Sequence, residues 1–213
     1  RGPRAQVRAD EVEVSAEGTS FALTIGDEAP VPVHFHVIGE HHVMNALAAA
    51  AAAHEEGVPT ADIVSALESV SRAERWRMEV MVREPITVIN DAYNASPDSM
   101  AAALRTLAQI AAPAQRTIAV LGEMSELGDL SVEQHDLLGL LAVRLDISQV
   151  VVVGRGARPL YLSAIAQGSW DGEATFFEDA DTAYAALIAE LRPGDLVLVK
   201  SSNSAGLRFL GDR

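Results

Sequence analysis

From about residue 78 onward, short runs of β-branched and aliphatic residues alternate with amphipathic helical stretches. No other feature of the chain constrains its fold as tightly. The runs are residues 86–89, 117–121, 150–153, 174–177 and 196–199. A strand that is apolar on both faces needs cover on both sides, and that is the situation of a parallel sheet. Strand–helix alternation then implies right-handed βαβ units and an α/β, doubly wound, mostly parallel sheet. The intervening helices carry their own signals. Ser96 and Pro97 read as an N-cap and first helical residue, with Met100, Leu104, Leu107 and Ala111 on one face. Ser131 and Gln134 read as a capping box ahead of Leu137, Leu138, Leu141 and Leu145.

Ahead of this region the period is different. Val12 and Val14, then Phe21, Leu23 and Ile25, then Val31, Val33, Phe35 and Val37 alternate with polar or small residues, which predicts three antiparallel strands. Two helices follow at about 42–56 and 60–70. Thr60 is a candidate N-cap, with Ile63, Val64, Leu67 and Val70 as an apolar stripe. The alanine-rich run 46–53 reads as a buried helix. The change of pattern places a boundary in the charged stretch 72–77, giving a first domain over 1–76 and a second over 77–213.

Charge and cysteine usage then remove whole classes of function. The 213 residues carry 16 Lys+Arg against 30 Asp+Glu, a net charge of −14, and such a surface repels a nucleic-acid backbone. Cys 0 removes disulfides, thiolate metal sites and thiol catalysis. No apolar run approaches the roughly 20 residues needed to cross a bilayer, so no membrane insertion is expected. The opening Arg-Gly-Pro-Arg is neither an apolar signal nor an initiator methionine, and the chain is expected to be a cytoplasmic segment that begins mid-protein.

In an open parallel sheet, ligands bind beyond the carboxyl ends of the strands. That rule selects Asp91, Tyr93 and Asn94 after the first run, and Gly122-Glu123-Met124 after the second. It selects Gly154-Arg155-Gly156 after the third and Lys200-Ser201-Ser202-Asn203 after the last. Asp91 can accept both hydroxyls of a ribose or bind a metal, and it can equally cap the next turn. Asn94 is also a common turn residue. Lys200 can hold a carboxylate or phosphate as a point charge, or simply end its strand in solvent. Ser201, Ser202 and Ser204 are either oxyanion donors or a polar loop. Gly154 and Gly156 half-match the dinucleotide fingerprint, with Pro159 in place of the third glycine and Glu178 in the position of the ribose-binding acid. Such turns are routine in this fold, so a structural role is favoured. His34, His36, His41 and His42 lack a nearby third ligand for a metal, and His135 reads as a surface or packing residue. Glu123, Glu126 and Asp129 read as solvated acids. Neither a G-x-x-x-x-G-K-[ST] loop nor a G-x-S-x-G elbow occurs in the sequence.

Several stretches together resemble one family. Gly39-Glu40-His41-His42-Val43-Met44-Asn45-Ala46-Leu47-Ala48-Ala49 resembles the G-x-H-N-x-x-N-x-L-A-A segment of the Mur ligases, ATP-dependent amide ligases of peptidoglycan precursor synthesis. Arg77-Met78-Glu79 resembles their R-x-E at a domain junction. Asp91-Ala92-Tyr93-Asn94-Ala95-Ser96-Pro97-Asp98-Ser99-Met100 is similar to D-A-Y-N-A-N-P-D-S-M. That motif marks the branch joining D-alanyl-D-alanine to UDP-N-acetylmuramoyl-tripeptide. Gly122-Glu123-Met124-Ser125-Glu126-Leu127-Gly128 resembles the same branch's G-D-M-x-E-L-G, with His135 at the expected distance, and Val199-Lys200-Ser201-Ser202 resembles its V-K-G-S-R.

The resemblance implies a three-domain ligase, of which this chain holds the end of the central ATP-binding domain and the whole C-terminal Rossmann-like domain. It implies ATP and Mg²⁺ as cofactors. The phosphate loop, the Mg²⁺ ligands and a modified lysine would lie upstream, so the chain alone is expected to be inactive. In the implied reaction ATP phosphorylates the tripeptide carboxylate, and the amine of D-alanyl-D-alanine attacks the acyl phosphate. By position, Asn45 would contact adenine, whose edge an amide can match as donor and acceptor. Asp91 would hold the ribose hydroxyls and Arg77 would lie near the phosphates. Tyr93 and Asn94 would face the reacting phosphate or the dipeptide. Lys200, Ser201 and Ser202 would bind the dipeptide carboxylate, and Asn94 and Lys200 are the catalytic candidates. A hinge near 72–77 would close the last domain and exclude water from the acyl phosphate. His42 stands where the family has Asn, Ser201 where it has Gly, and Asn203 where it has Arg, which removes a bidentate carboxylate clamp. Three other readings stay open at this point. One is a sibling ligase with another amino-acid substrate, against which Tyr93-Asn94-Ala95 counts. The others are a dinucleotide-binding oxidoreductase module using Gly154, Gly156 and Glu178, and a non-enzymatic scaffold.

Overall fold

In the N-terminal part, alternation produces an antiparallel sheet of β1 (Val7–Ser15), β2 (Gly18–Ile25) and β3 (Val31–Phe35), in that order. The computed structural model describes residues 5–70, 75–167 and 173–213, and the chain divides into two compact units, Arg1–Ala73 and Glu74–Arg213. The expected boundary and hinge stretch, 72–77, lies in part outside the described residues.

One face of the first sheet buries Phe21, Leu23, Ile25, Val33 and Phe35. They pack with Val43, Ala46, Leu47 and Ala50 of α1 (Glu40–Glu55) and with Ile63 and Leu67 of α2 (Thr60–Ser69). The start of α1 is pinned by Thr19, whose hydroxyl donates to Val37 O at 2.8 Å and accepts from Gly39 N at 3.1 Å. Two expectations change here. The alanine run is not a buried helix throughout: Ala46, Leu47 and Ala50 face the sheet while Ala48 and Ala49 face out, because a helix lying on one sheet buries one stripe. Thr60 is the first helical residue; Pro59 holds the cap position and no side chain caps the helix.

The second unit is built on a six-stranded sheet of β4 (Glu79–Arg83), β5 (Ile86–Asn90), β6 (Thr117–Leu121), β7 (Gln149–Val153), β8 (Ala174–Phe177) and β9 (Leu196–Lys200). Their spatial order is β4-β5-β9-β6-β7-β8. All pairings are parallel except β4 with β5. Every residue of β6, β7 and β9 is buried, as two-sided cover requires. The five sequence runs each form a strand. The strand not foreseen is β4, an edge strand whose apolar run, Val80 to Val82, is short and flanked by charges, with Val82 67% exposed.

The connecting helices are α3 (Pro97–Ile110), α4 (Ser131–Arg144), α5 (Arg158–Ile165) and α6 (Ala180–Glu190), and α7 (Arg208–Asp212) follows β9. The steps β5→α3→β6→α4→β7→α5→β8 run one way across the sheet and β8→α6→β9 runs back. Right-handed crossovers therefore put α3, α4 and α5 on one face and α6 on the other. The α6 face is filled by Val88, Ile118, Val120, Val151, Val197 and Val199 against Ala183, Leu187 and Leu210. Gly139 lets α4 approach α5 closely; a Cβ there would lie 2.4 Å from Leu160 O. Among the described residues, no helix is long and apolar enough to cross a membrane.

Helix starts are met unequally. Ser96 caps α3 as expected, accepting from Ser99 N while Ser99 Oγ accepts from Ser96 N, with Pro97 in the first turn. Ser131 does not cap α4. A 3₁₀ turn over Gly128–Leu130 runs into the helix, so Ser131 is already helical and its hydroxyl lies 3.4 Å from His135 Nδ1.

Candidate functional site

β9, the last strand in sequence, lies between β5 and β6, so the sheet's strand order reverses there. The crevice beyond the carboxyl ends at such a reversal is where open α/β sheets bind ligands. Backbone bonds carry the ladder past the strand ends. Asp91 N donates to Val199 O, Gly122 N to Lys200 O and Ser202 N to Glu123 O, each at 2.8–2.9 Å. Three loops, from 91, 122 and 201, are thereby held side by side.

Asp91 and Lys200 form the centre of this edge. Lys200 Nζ lies 2.5 Å from Asp91 Oδ2, with side-chain exposures of 3% and 13%. The same ammonium faces Asn94 O at 3.0 Å and Asp91 O at 3.5 Å, so each of its three donors has an oxygen partner. The other Asp91 oxygen, Oδ1, accepts from Met78 N at 3.0 Å. The geometry departs from both options raised for Lys200, a solvated strand end and a free point charge for a substrate carboxylate. Its burial and its bonds make it the support of the Asp91 loop. Asp91 keeps one further acceptor lone pair on each oxygen.

Around this pair the sequence candidates fall into two groups. Arg77 and Tyr93 are brought together: the guanidinium stacks 4.5 Å from the ring centroid, and Tyr93 N donates to Trp76 O at 3.1 Å. Asn94 is exposed, and its side-chain oxygen accepts from Ala95 N at 2.9 Å. Ser201 is buried, its hydroxyl donating to Ser202 O at 3.0 Å, while Ser202 Oγ accepts from Ser125 N at 2.8 Å. These two hydroxyls stitch the edge together. Asn45 is on α1 in the other unit, exposed, with its amide 3.5 Å from His42 Nδ1.

Around the loop after β6 lie residues that the sequence named without their partners. Of the two readings given for His135, surface or packing residue, its full burial fits the second; its Nε2 accepts from Met124 N at 3.0 Å, and Nδ1 faces Ser131 O at 2.7 Å. It fixes the loop that carries Glu123. Gly156 is a glycine because the Glu123 carboxylate fills its side-chain position, Oε2 lying 2.0 Å from where a Cβ would stand. Glu178 is bound to exposed Arg155 at 2.8 Å, which holds that guanidinium's pKa above its ordinary value. A glycine turn filled by a carboxylate repels a pyrophosphate instead of cradling one, and the structure gives the dinucleotide reading no support. Only the half-match of glycines was visible in the sequence; the Glu123–Gly156 contact is tertiary. Among the described residues no group of three or more His, Cys, Asp or Glu could hold a metal ion.

Two family models match the chain: the Mur ligase glutamate ligase domain over residues 76–203 and the Mur ligase middle domain over residues 1–53. The UDP-N-acetylmuramoyl-tripeptide–D-alanyl-D-alanine ligase of Mycobacterium bovis is 46% identical over 202 residues, covering 87% of this chain and 40% of the relative. A crystal structure of MurF from Acinetobacter baumannii superposes with a TM-score of 0.85 at 30% identity, over 98% of this chain and 44% of that one. MurF from Thermotoga maritima in complex with ADP shares the fold, with a TM-score of 0.80 at 20% identity over 96% of this chain and 45% of that one. The chain thus spans less than half the length of these relatives.

Proposed function

Because the chain belongs to the Mur ligase family, we propose that it is the C-terminal part of an ATP-dependent ligase that joins D-alanyl-D-alanine to UDP-N-acetylmuramoyl-tripeptide in the cytoplasm. The observation that carries this reading is the 46% identity over 202 residues to relatives named for that reaction. The branch-specific segment from Asp91 to Met100 lines the carboxyl edge of the sheet, which is where a ligand of such a fold belongs.

In this reading the tripeptide carboxylate takes the γ-phosphoryl group of ATP, and the dipeptide amine displaces phosphate from the acyl phosphate. Asp91 accepts the ribose hydroxyls with the lone pairs that Met78 N and Lys200 leave open. Lys200 acts through Asp91 and the Asn94 carbonyl, holding the 91–94 loop in one conformation, and the catalytic role expected of it becomes one of positioning. Arg77, braced on the Tyr93 ring, supplies positive charge toward the nucleotide phosphates. Asn94 presents an exposed amide to the reacting groups, and the Ser201–Ser202 turn shapes the dipeptide's surroundings. Asn45 offers an exposed amide suited to an adenine edge. Mg²⁺ would neutralise phosphate charge, and no group of three or more His, Cys, Asp or Glu among the described residues suits it.

The test is ADP release by the full-length gene product, supplied with ATP, Mg²⁺ and the UDP-linked tripeptide. Release that depends on D-alanyl-D-alanine is expected, and Asp91→Ala raises the KM for ATP or abolishes turnover. Turnover indifferent to the dipeptide, or saturable micromolar NADH binding, overturns the reading. Unchanged kinetics in Asp91→Ala removes Asp91 from the site.

A further inference from the structure

We propose that the Glu123 carboxylate, seated in the space that Gly156 leaves by having no side chain, receives the primary ammonium of the incoming amine substrate; this inference rests on the ligase reading above. An amide ligase has to collect its nucleophile from water, where a peptide amine is mostly protonated. An ammonium brings three donors and one positive charge, and its natural partners are one carboxylate and neutral oxygen acceptors.

The edge of the sheet offers that set at one place. Glu123 is the second residue after β6, beside the Asp91–Lys200 loops, and is only partly exposed. No described cation pairs with it; its side chain meets Ser125 Oγ at 3.5 Å. Ser125 Oγ in turn lies 2.8 Å from Ser204 Oγ, so one carboxylate and two hydroxyls sit within one loop cluster. The Lys200 charge is consumed by Asp91, which leaves Glu123 as the partly buried carboxylate of this edge without a cationic partner among the described residues. One carboxylate with hydroxyls suits a monovalent ammonium. A divalent metal asks for several hard oxygen ligands, and no such group is present among the described residues.

The position is built rather than incidental. The Glu123 main chain is locked on both sides, its carbonyl accepting from Ser202 N at 2.9 Å and the next residue's N–H held by His135. Gly122 has no room for a side chain, since a Cβ would stand 2.7 Å from Ser201 Cβ. On the far side, a Cβ at Gly156 would lie 2.0 Å from Glu123 Oε2 and 2.6 Å from Cδ. The absence of a side chain at 156 is what allows the carboxylate to lie where it does.

The experiment is steady-state kinetics on the full-length gene product, with D-alanyl-D-alanine and ATP varied separately. Glu123→Gln keeps the shape and removes the charge. It raises the dipeptide KM about 10- to 100-fold, the worth of a charge-assisted hydrogen bond, and leaves the ATP KM within about twofold. Gly156→Ala changes no charge, pushes the carboxylate aside and gives the same split, while Glu123→Asp restores part of the loss. If Glu123→Gln does not fold, Gly156→Ala decides. Folded variants whose dipeptide KM stays within twofold of the parent, or whose ATP KM moves equally, overturn the inference alone. A parent protein with no dipeptide-dependent turnover overturns the ligase reading and the inference with it.

Discussion

Removing both members of the Asp91–Lys200 pair should cost less than the two single removals added together. Lys200→Met takes the ammonium from a side chain that is 3% exposed and leaves Asp91 charged at 13% exposure, with Met78 N as its remaining described partner. It also strips the Asn94 carbonyl of its donor. Breaking a buried pair from one side costs roughly 3–5 kcal/mol, and the residual bond to Met78 and partial hydration of Asp91 place this case near about 3 kcal/mol. Asp91→Asn leaves the ammonium with two carbonyl oxygens and costs about 2 kcal/mol, by the same reasoning from the other side. The double variant carries neither lone charge, so its cost falls below the sum of the singles by about 1–3 kcal/mol. Urea unfolding of the four proteins, followed by far-ultraviolet circular dichroism, measures this coupling. Costs that add within about 0.5 kcal/mol, or a Lys200→Met cost below about 1 kcal/mol, refute the assignment of Lys200 as the support of the loop.

Two further outcomes follow from packing and capping. Gly139→Ala gains about 1 kcal/mol of helix propensity but drives a methyl to 2.4 Å from Leu160 O and 3.1 Å from Ala164 N; overpacking of about 1–3 kcal/mol outweighs the gain, and a rise in melting temperature would contradict the close α4–α5 approach. Asp179 caps α6 by accepting from Thr182 N, which lowers its carboxyl pKa. A lowered folded-state pKa gives stability that is full above the ordinary Asp value near 3.9 and lost as pH falls through the lowered one. Asn caps a helix about as well as Asp and does not titrate, so Asp179→Asn leaves neutral-pH stability almost unchanged and flattens the acid side of the stability–pH curve; an unaltered acid slope would count against this cap.

The sheet was legible because its central strands are apolar on both faces. Residues 117–121 form a central strand with those same limits, and 174–177 form the edge strand β8 with theirs, since no charged residue interrupts either run. β4 was not legible, because its apolar stretch is only Val80-Met81-Val82 between two charged residues, too short to mark a strand by itself. The cap of α4 misled because Ser131 and Gln134 have the spacing of a box, while the 3₁₀ turn before them satisfies the helix start with backbone alone. At the site, the rule about carboxyl ends found Asp91, Lys200 and the serines, since strand position is a local property. It could not find who pairs with whom. The burial of Lys200, the bond from Met78 N to Asp91 and the fit of Glu123 over Gly156 depend on loops that are distant in sequence.

The placement of β9 has a consequence for biosynthesis. Of the six strands of this sheet, the one between β5 and β6 is made after all the others, so until residues 196–200 emerge the nascent sheet stays split, with two edges open to chaperones, proteases or another copy of the chain. A premature stop at Leu196 takes out the middle of this sheet instead of trimming its edge. Such a product should be cleared by the cell rather than persist as a shortened, partly working protein.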